Sequence, residues 1–551
     1  MNDTPITYHA SRRTFLATLV RARWLVLIVS LIIILLPVPY VLSNWTPVGD
    51  EPHYLLAAYS LVHDGDLDLA NNYAQGDYRA FYDLPIDPHV RIGADGRLYL
   101  SHDIGLPILI APAYAFGGRA AVIIFLAIIA ALVAVNVYWL AYEVTGHPVA
   151  AMLTWLILLL TPILSVYAYL VYPEMIGALI VIWTTRRLFK IDASRVTRHS
   201  SLITQSAIVA LALAVLPWLS ARFIPIAVFL LAWKIRRDRS NRKQILISIG
   251  VMIGSLIGYF ALNAWLSGGA ASAIDFDTGL IAIGFQGISI ERILRGLIGW
   301  WLDQQRGVLI YSPVDIIALI GLPWLWRRLR WSGIALLAPL LVAYLSAVAW
   351  GGFWVGWEIS ARYLVIGLPL LAAPLALALV HIRRVAFRGL VIVTFAIALI
   401  NSVVLIKSPG LWGYRESIVL FYDRYTSIDL WRWLPAMSAG AAIDPTVGAI
   451  DAAEVVSDNN RSAWHTPIGS GGVVIQTSSL TDVTIGIYEL HFDARAENIP
   501  AVDAPLLSID VFSAEGVSLK HQLLSGADFA ADGSYRSFSV AFDQPFYNKW
   551  T

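Results

Sequence analysis

Long apolar runs separated by short polar loops constrain this chain more than any other feature. The first runs from Trp24 to about Ser43. Others follow at about 120–142, 148–169, 175–189, 202–218, 222–235, 244–266, 307–326, 332–350, 363–381 and 387–406. Crossing a bilayer as a helix takes ~20 consecutive apolar residues, so the pattern predicts about eleven transmembrane helices, with 175–189 and 222–235 on the short side. Composition agrees. The 551 residues are 58% hydrophobic and 14% charged, where a soluble domain runs near ~45–50% and ~25%. The expected fold class is a mainly α polytopic membrane protein.

Charge orders the loops. Arg12, Arg13, Arg21 and Arg23 precede the first run, which lacks a clear small-residue cleavage site and reads as a retained anchor. Residues 1–23 are therefore expected in the cytoplasm and the following loop outside. Alternate later loops carry Arg186, Arg187, Lys190, Arg195 and Arg198, then Lys234, Arg236, Arg237, Arg239, Arg242 and Lys243, then Arg327, Arg328 and Arg330, then Arg383, Arg384 and Arg388. All fall on the cytoplasmic side if residues 104–118 (IGLPILIAPAYAFGG), short and interrupted by Pro107 and Pro112, form an interfacial or re-entrant helix. The net charge of +1 gives no field that would draw nucleic acid, and with no cysteine there is neither disulfide nor thiol chemistry. The 21 Trp gather near the ends of apolar runs; they suit an interfacial belt, and equally sugar stacking.

Just past the first run stands Gly49-Asp50-Glu51-Pro52-His53-Tyr54. An acidic pair at the mouth of a span is costly without a use. It also fits a helix start, with Asp50 as N-cap, Glu51 in the first turn and Pro52 near the first helical position. The largely polar loop 45–103 carries Asp64, Asp66, Asp68, Asp77, Asp83, Asp87, Asp95 and Asp103, and its length points to function or to structure of its own. The other expected outer loops are Tyr172-Pro173-Glu174, Pro217 to Arg222, 267–306 and 350–362 (WGGFWVGWEISAR). Beyond residue 440, alternating segments at Gly472–Thr477, Ile485–Phe492, Leu506–Phe512 and Arg536–Phe542 predict strands, with Ala531-Asp532-Gly533 as a turn. The domain expectation is a cytoplasmic N-terminus (1–23), a transmembrane module (24–439) with outer loop 45–118, and an extracytoplasmic β-sandwich (440–551). The last strand of that sandwich is expected to be missing or supplied otherwise.

The order in the first quarter of the chain resembles the GT-C membrane glycosyltransferases, in the protein-mannosyltransferase and aminoarabinose-transferase branch. It consists of a basic start, one span, and Asp50-Glu51-Pro52-His53-Tyr54. A long outer loop follows, ending in His102-Asp103-Ile104-Gly105-Leu106-Pro107, and then a proline-broken helix closing in Phe116-Gly117-Gly118-Arg119. The resemblance implies transfer of a sugar from a polyprenyl-phosphate donor to a hydroxyl or amine of a glycan, lipid or protein acceptor at the outer membrane face. It also implies that Asp50 is, or positions, the general base, with Glu51 beside it, and that the localisation is the cell (plasma or inner) membrane. Such chemistry needs a carboxylate to take the acceptor proton and cations to hold the phosphate as charge develops. In-line displacement would invert the anomeric centre.

Arg222, Arg306 and Arg362 stand at outer ends of spans and are the phosphate candidates, by bidentate geometry; their bland reading is snorkelling to headgroups. Arg362 closes a loop dense in Gly351, Gly352, Trp354, Gly356 and Trp357, where Glu358 could simply pair with it at i,i+4. Glu174 is either a substrate- or metal-site acid, by the same resemblance, or a first-turn helix residue. Asp303 either pairs with Arg306 at i,i+3 or touches substrate. His53, Tyr54, His102 and Asp103 complete the substrate-binding candidates. No cofactor is fixed by the sequence; a divalent metal is the one candidate, but Asp275-Phe276-Asp277 is a weak motif and no His/Cys metal spacing appears. A transporter or flippase of lipid-linked sugars is disfavoured because the spans are nearly free of charge, Asp315 excepted. An inactive glycan-binding relative is the third reading.

Overall fold

The computed structural model describes residues 24–83, 86, 88–93, 95–189, 199–266, 290–303, 306–350, 361–382, 384–409, 418–426 and 434–435, with separate stretches between 454 and 544. The chain divides into two compact units, Met1–Gly413 with Ser417–Met437, and Tyr414–Glu416 with Ser438–Thr551.

The first unit is helical. It starts with α1 (Trp24–Asn44), α2 (Glu51–His63) and the short α3 (Ala70–Gln75), then a hairpin of β1 (Val90–Ile92) and β2 (Leu98–Leu100). The long helices follow: α4 (Gly105–Thr145), α5 (Pro148–Leu160), α6 (Glu174–Phe189), α7 (His199–Leu219), α8 (Ile224–Arg237) and α9 (Arg242–Leu266). Then come α10 (Ile290–Leu302), α11 (Asp315–Leu329), α12 (Trp331–Trp350), α13 (Ala372–His381), α14 (Val385–Lys407) and α15 (Ile418–Thr426). Among the described residues five helices are long and apolar enough to cross a membrane, or six if α5 and the turn after it, bent by 57°, make one span. Every run expected to cross carries helix, but α6, α8, α11 and α13 hold only 16, 14, 15 and 10 residues. At 1.5 Å per residue these fall short of a ~30 Å core.

Helix α4 is central and packs against α2, α5, α6 and α13. Its inward positions are mostly Ala, Val, Leu and Ile, joined by Tyr114, Asn136, Tyr138 and Trp139. The break expected at its prolines lies elsewhere. Pro107 sits in the first turn, where no backbone N–H is needed, and Pro112 is carried inside the helix. The chain turns instead at Gly117 (φ −166°, ψ 33°) and Gly118 (φ 57°, ψ −148°), and the latter is a conformation only glycine adopts cheaply. Small residues also set the closest approaches. A Cβ on Gly105 would run into the backbone of Trp218, and one on Gly321 into the carbonyl of Pro374.

The loop between α1 and α4 is ordered by its own polar groups. Asp68 Oδ1 accepts from the N–H groups of Ala70 and Leu98 (3.1 Å each), tying α3 to the hairpin. Arg91 donates to Asn263 Oδ1 of α9 (3.0 Å). In the hairpin Val90 pairs with Leu100, Arg91 with Tyr99 and Ile92 with Leu98, and the Ser101 N–H donates to the His89 carbonyl (3.0 Å). This register sets His89 beside His102.

In the second unit the described strands pair antiparallel, β3 (Glu454–Asp458) with β4 (Arg461–His465), β5 (Gly486–Ala494) with β8 (Arg536–Gln544), and β6 (Pro505–Phe512) with β7 (Ser518–Ser525). Three of the four expected strands are present within a few residues; Gly472–Thr477 and the Ala531-Asp532-Gly533 turn lie outside the described residues.

Candidate active site

Asp50 precedes the first turn of α2 as its N-cap residue, but its side chain makes no cap hydrogen bond. The backbone does that work: its carbonyl accepts from the His53 and Tyr54 N–H groups (3.1 Å each). The carboxylate is left to face inward. There Arg362 Nη2 donates to Asp50 Oδ2 at 2.8 Å, and Arg362 Nε donates to Glu174 Oε1 at 3.0 Å. One guanidinium thus bridges two acids from distant loops. Arg222 Nη2 lies 3.8 Å from the same Glu174 oxygen. His102 Nε2 lies 3.5 Å from Asp50 Oδ1.

Aromatic faces hold the cations. The Arg362 guanidinium lies 4.0 Å from the Tyr172 ring centre, and that of Arg222 lies 4.1 Å from the Tyr363 ring centre. Such contacts are favourable and fix a planar group in orientation. Tyr172 is pinned in turn, its hydroxyl donating to the Val48 carbonyl (2.8 Å). Glu174 opens α6 and is fully buried. Its second oxygen has no hydrogen-bond partner among the described residues.

Glu51 points away from Asp50 and joins two loops. Its Oε1 accepts from the Val48 N–H (3.1 Å) and its Oε2 from the Val171 N–H (2.8 Å). Burial pushes its carboxyl up to about 7, against these two donors and the nearby Arg119 and Arg362 charges. For Asp50 burial also acts upward, but Arg362, His102 and Arg222 outweigh it and hold the carboxyl well below the usual range. Asp50 is therefore an ion-paired carboxylate while Arg362 stays on it.

Asp103 fixes the loop that carries Arg222. Its Oδ2 accepts from the Ala221 N–H (3.0 Å) and its Oδ1 from the Tyr259 hydroxyl (2.7 Å). His53 Nδ1 meets the Tyr73 hydroxyl at 2.8 Å, and its ring stacks on His89 at 4.1 Å. Burial, then the charges of His89 and His102, press the His53 imidazole down to about 3, so it is neutral. Tyr54 is buried with its ring 5.4 Å from that of His102. Asp303 and Arg306, both buried, sit where α10 ends, and Asp303 Oδ1 accepts from the Arg306 N–H (2.8 Å). Glu358 and Asp275-Phe276-Asp277 lie outside the described residues.

The expected residues thus separate. Asp50, His102, Glu174, Arg222 and Arg362 form one chain of charge contacts; Glu51 and Asp103 anchor the loops that carry it. His89, Tyr172 and Tyr363 were not singled out from the sequence. Tyr363 adjoins Arg362 and Tyr172 is two residues from Glu174, which is the one local signal; His89 offers none. Asp50, His89 and His102 can each present one ligand atom, all within 4.8 Å of one another.

Arginines also mark the far ends of the same helices. Glu174 begins α6, and Arg186 near its end pairs with Glu143 of α4 (2.6 Å). Arg222 precedes α8, whose end carries Lys234, Arg236 and Arg237. Arg328 at the end of α11 donates to the Val144 carbonyl (3.1 Å).

No family model matches the chain, and no curated protein matches it. Solved structures do. ArnT from Cupriavidus metallidurans in the apo state aligns with a TM-score of 0.39 and 16% identity over 73% of this chain and 65% of that one. ArnT bound to undecaprenyl phosphate gives 0.41 and 15%, over 72% and 65%. The Archaeoglobus fulgidus oligosaccharyltransferase tethered with an acceptor peptide gives 0.41 and 13%, over 69% and 55%. These structural neighbours are GT-C membrane glycosyltransferases. The chain spans less than two thirds of the length of each of them.

Proposed function

We propose that this chain is a membrane glycosyltransferase that moves a sugar from a polyprenyl-phosphate donor to an acceptor hydroxyl or amine, with inversion, at the outer membrane face. The observation that carries the proposal is the 2.8 Å pairing of Asp50 with Arg362. A prospective base and a prospective phosphate ligand share one pocket, which the sequence pattern requires of such an enzyme.

The chemistry follows from that pairing. In the ion pair Asp50 is a poor base, because Arg362 stabilises its charged form. A donor phosphate competes for the guanidinium, with bidentate geometry in its favour. As Arg362 turns toward phosphate, Asp50 loses its counter-charge and regains proton affinity. The acceptor oxygen or nitrogen then attacks the anomeric carbon and its proton passes to Asp50. The bond from the sugar to the phosphate oxygen breaks, and the electron pair leaves with the lipid phosphate. Arg222, stacked on Tyr363, is the second cation for that developing charge. Glu51 acts here as a strut rather than as a reactant, since both of its oxygens are occupied by backbone donors.

Sidedness is part of the same proposal. The basic residues gather at the helix ends opposite the Asp50 cluster, and basic loops stay in the cytoplasm; this supports an outer site and about eleven crossings, some of the shorter helices being extended by adjoining turns, Val308–Tyr311 before α11 and Leu368–Leu371 before α13. Residues 24–439 would then be the catalytic module, and 440–551 an extracytoplasmic β-sandwich. The test is transfer from a radiolabelled polyprenyl-phosphate sugar by the purified full-length chain. Asp50→Asn is expected to abolish it, and wild-type transfer by that variant would overturn Asp50 as the base.

A further inference from the structure

The end of α2 carries a group of oxygens that takes no part in the transfer chemistry. Asp64 follows the helix directly, and Asp77 opens the single turn Asp77–Ala80 after α3. Gly76, at φ 71°, turns the chain between α3 and that acid. Between the two acids stands Asn72 of α3, whose side chain is 0% exposed. Its Nδ2 donates to Asp64 Oδ2 (2.7 Å) and to Asp77 Oδ2 (2.9 Å). Asn71 Nδ2 adds a further bond to Asp64 Oδ2 (3.1 Å). Two carboxylates thus share one amide nitrogen. Among the described residues no cationic side chain pairs with either of them. Like charges this close repel, and an amide donates hydrogen bonds without supplying counter-charge.

The telling atom is Asn72 Oδ1. It is buried and has no hydrogen-bond partner. An acceptor left unmade inside a protein is costly. Asn72 therefore spends its amide protons on the acids and leaves its own oxygen orphaned beside them. A turn of the carboxamide about its last bond brings Oδ1 toward the two carboxylates. Three oxygens so gathered repel unless a cation stands among them.

We propose that Asp64, Asn72 and Asp77 bind one calcium ion. Every donor in the set is a hard oxygen, and two carboxylates match the charge of a divalent ion. Calcium takes ~6–8 oxygens at ~2.3–2.6 Å in irregular shells, whereas magnesium demands a near-ideal octahedron at ~2.0–2.1 Å. Asp64 is exposed, so water can complete the shell from its side. The ion would tie the end of α2, α3 and the turn after it into one unit of the first outer loop. Asp50 stands at the opposite end of α2, and thirteen residues of helix span ~20 Å at ~1.5 Å each. The site is therefore separate from the reacting groups and does not depend on the transferase reading. With three protein ligands, one of them on the surface, the affinity belongs in the ~0.1–1 mM range of extracellular calcium modules.

Binding and stability test this without donor or acceptor. The full-length chain in detergent is stripped with chelator, and radioactive Ca²⁺ is titrated by equilibrium dialysis while the thermal midpoint is followed in parallel. The expected result is one saturable site per chain with a Kd in that range. The midpoint should rise by several degrees between chelator and about 10 mM Ca²⁺, since an ion that binds only the folded chain stabilises it. Asp64→Asn and Asp77→Asn should each weaken binding at least tenfold and remove the midpoint rise. Asp95→Asn, at an exposed acid on the hairpin of the same loop, should change neither. Absence of saturable binding to the wild-type chain up to about 10 mM Ca²⁺ would overturn the proposal, leaving Asn72 as a plain hydrogen-bond bridge. Wild-type binding by both aspartate variants would overturn it equally. Asp64 is on the surface, so its variant tests the site even where a change at buried Asn72 fails to fold.

Discussion

Arg362 and Asp50 stand 312 positions apart in the chain and 2.8 Å apart in the fold. Arg362 also reaches Glu174, so a single side chain bridges two acids delivered by different helices, with Arg222 as the second cation near Glu174. Removing it leaves two buried or part-buried carboxylates facing each other. Breaking a buried pair from one side costs about 3–5 kcal/mol. Arg362→Ala is therefore expected to lower the thermal midpoint in detergent by several degrees, besides abolishing donor binding. Arg362→Lys restores charge but cannot span both acids with one ammonium, so it should recover stability in part. An unchanged midpoint for the alanine variant would show that the bridge contributes nothing to the fold.

Asp103 acts on the site through backbone. Its bond to the Ala221 N–H holds the short turn that presents Arg222. Asp103→Ala should loosen that turn, raise KM for the lipid donor and leave kcat within a few-fold of wild type. Asp50→Asn should strike kcat instead. If the two substitutions give the same kinetic signature, Asp103 takes part in the reaction rather than in positioning.

Glu51 predicts a pH dependence of stability. Its carboxyl rises from an ordinary 4.5 to about 7 on folding, because burial outweighs its backbone donors. The folded chain therefore holds this proton more tightly than the unfolded one. On this account stability is greatest below the ordinary value, falls as pH rises between about 4.5 and 7, and levels off above that. The full span is on the order of 3–4 kcal/mol. Glu51→Gln should flatten this part of the curve, read as the difference in thermal midpoint between variant and wild type across pH 4.5–7.5. A variant that keeps the wild-type slope would mean that another group titrates.

Two glycines carry separable predictions. Gly321→Ala pushes a methyl into the Pro374 carbonyl where α11 meets α13, so the helices must part or shift, and a loss of about 1–3 kcal/mol is expected. Gly118→Ala meets no neighbour; its cost is backbone strain at φ 57°, ψ −148°, also about 1–3 kcal/mol. Thermal unfolding of each, and of the double variant, should show additive losses, since independent sites add.

Much of this was legible in the sequence, for reasons that also mark where it stops. Apolar runs gave the helices, because hydrophobicity and helix length are both local. They did not give the number of crossings, because a buried helix such as α13 and a crossing one look alike over ten to sixteen residues. Charged residues at helix ends gave Asp50, Glu174, Arg222 and Arg362, since an ion placed there is expensive and stands out. The prolines read as interrupting the 104–118 segment, whereas Pro112 is carried inside the helix and the chain turns at the Gly117-Gly118 pair that closes that segment, with only Gly118 at positive φ. His89 lay in a polar loop with nothing to mark it. Only the hairpin register turns it toward Asp50.

The strut from Glu51 to Val171 has a consequence for how this pocket can move. Asp50 is the adjoining residue and Glu174 lies three residues past Val171, so this hydrogen bond ties the backbone beside the proposed base to the backbone beside the anchor of Arg362. If a lipid donor enters as proposed, the two acids are expected to keep their spacing while Arg362 or the hairpin side gives way.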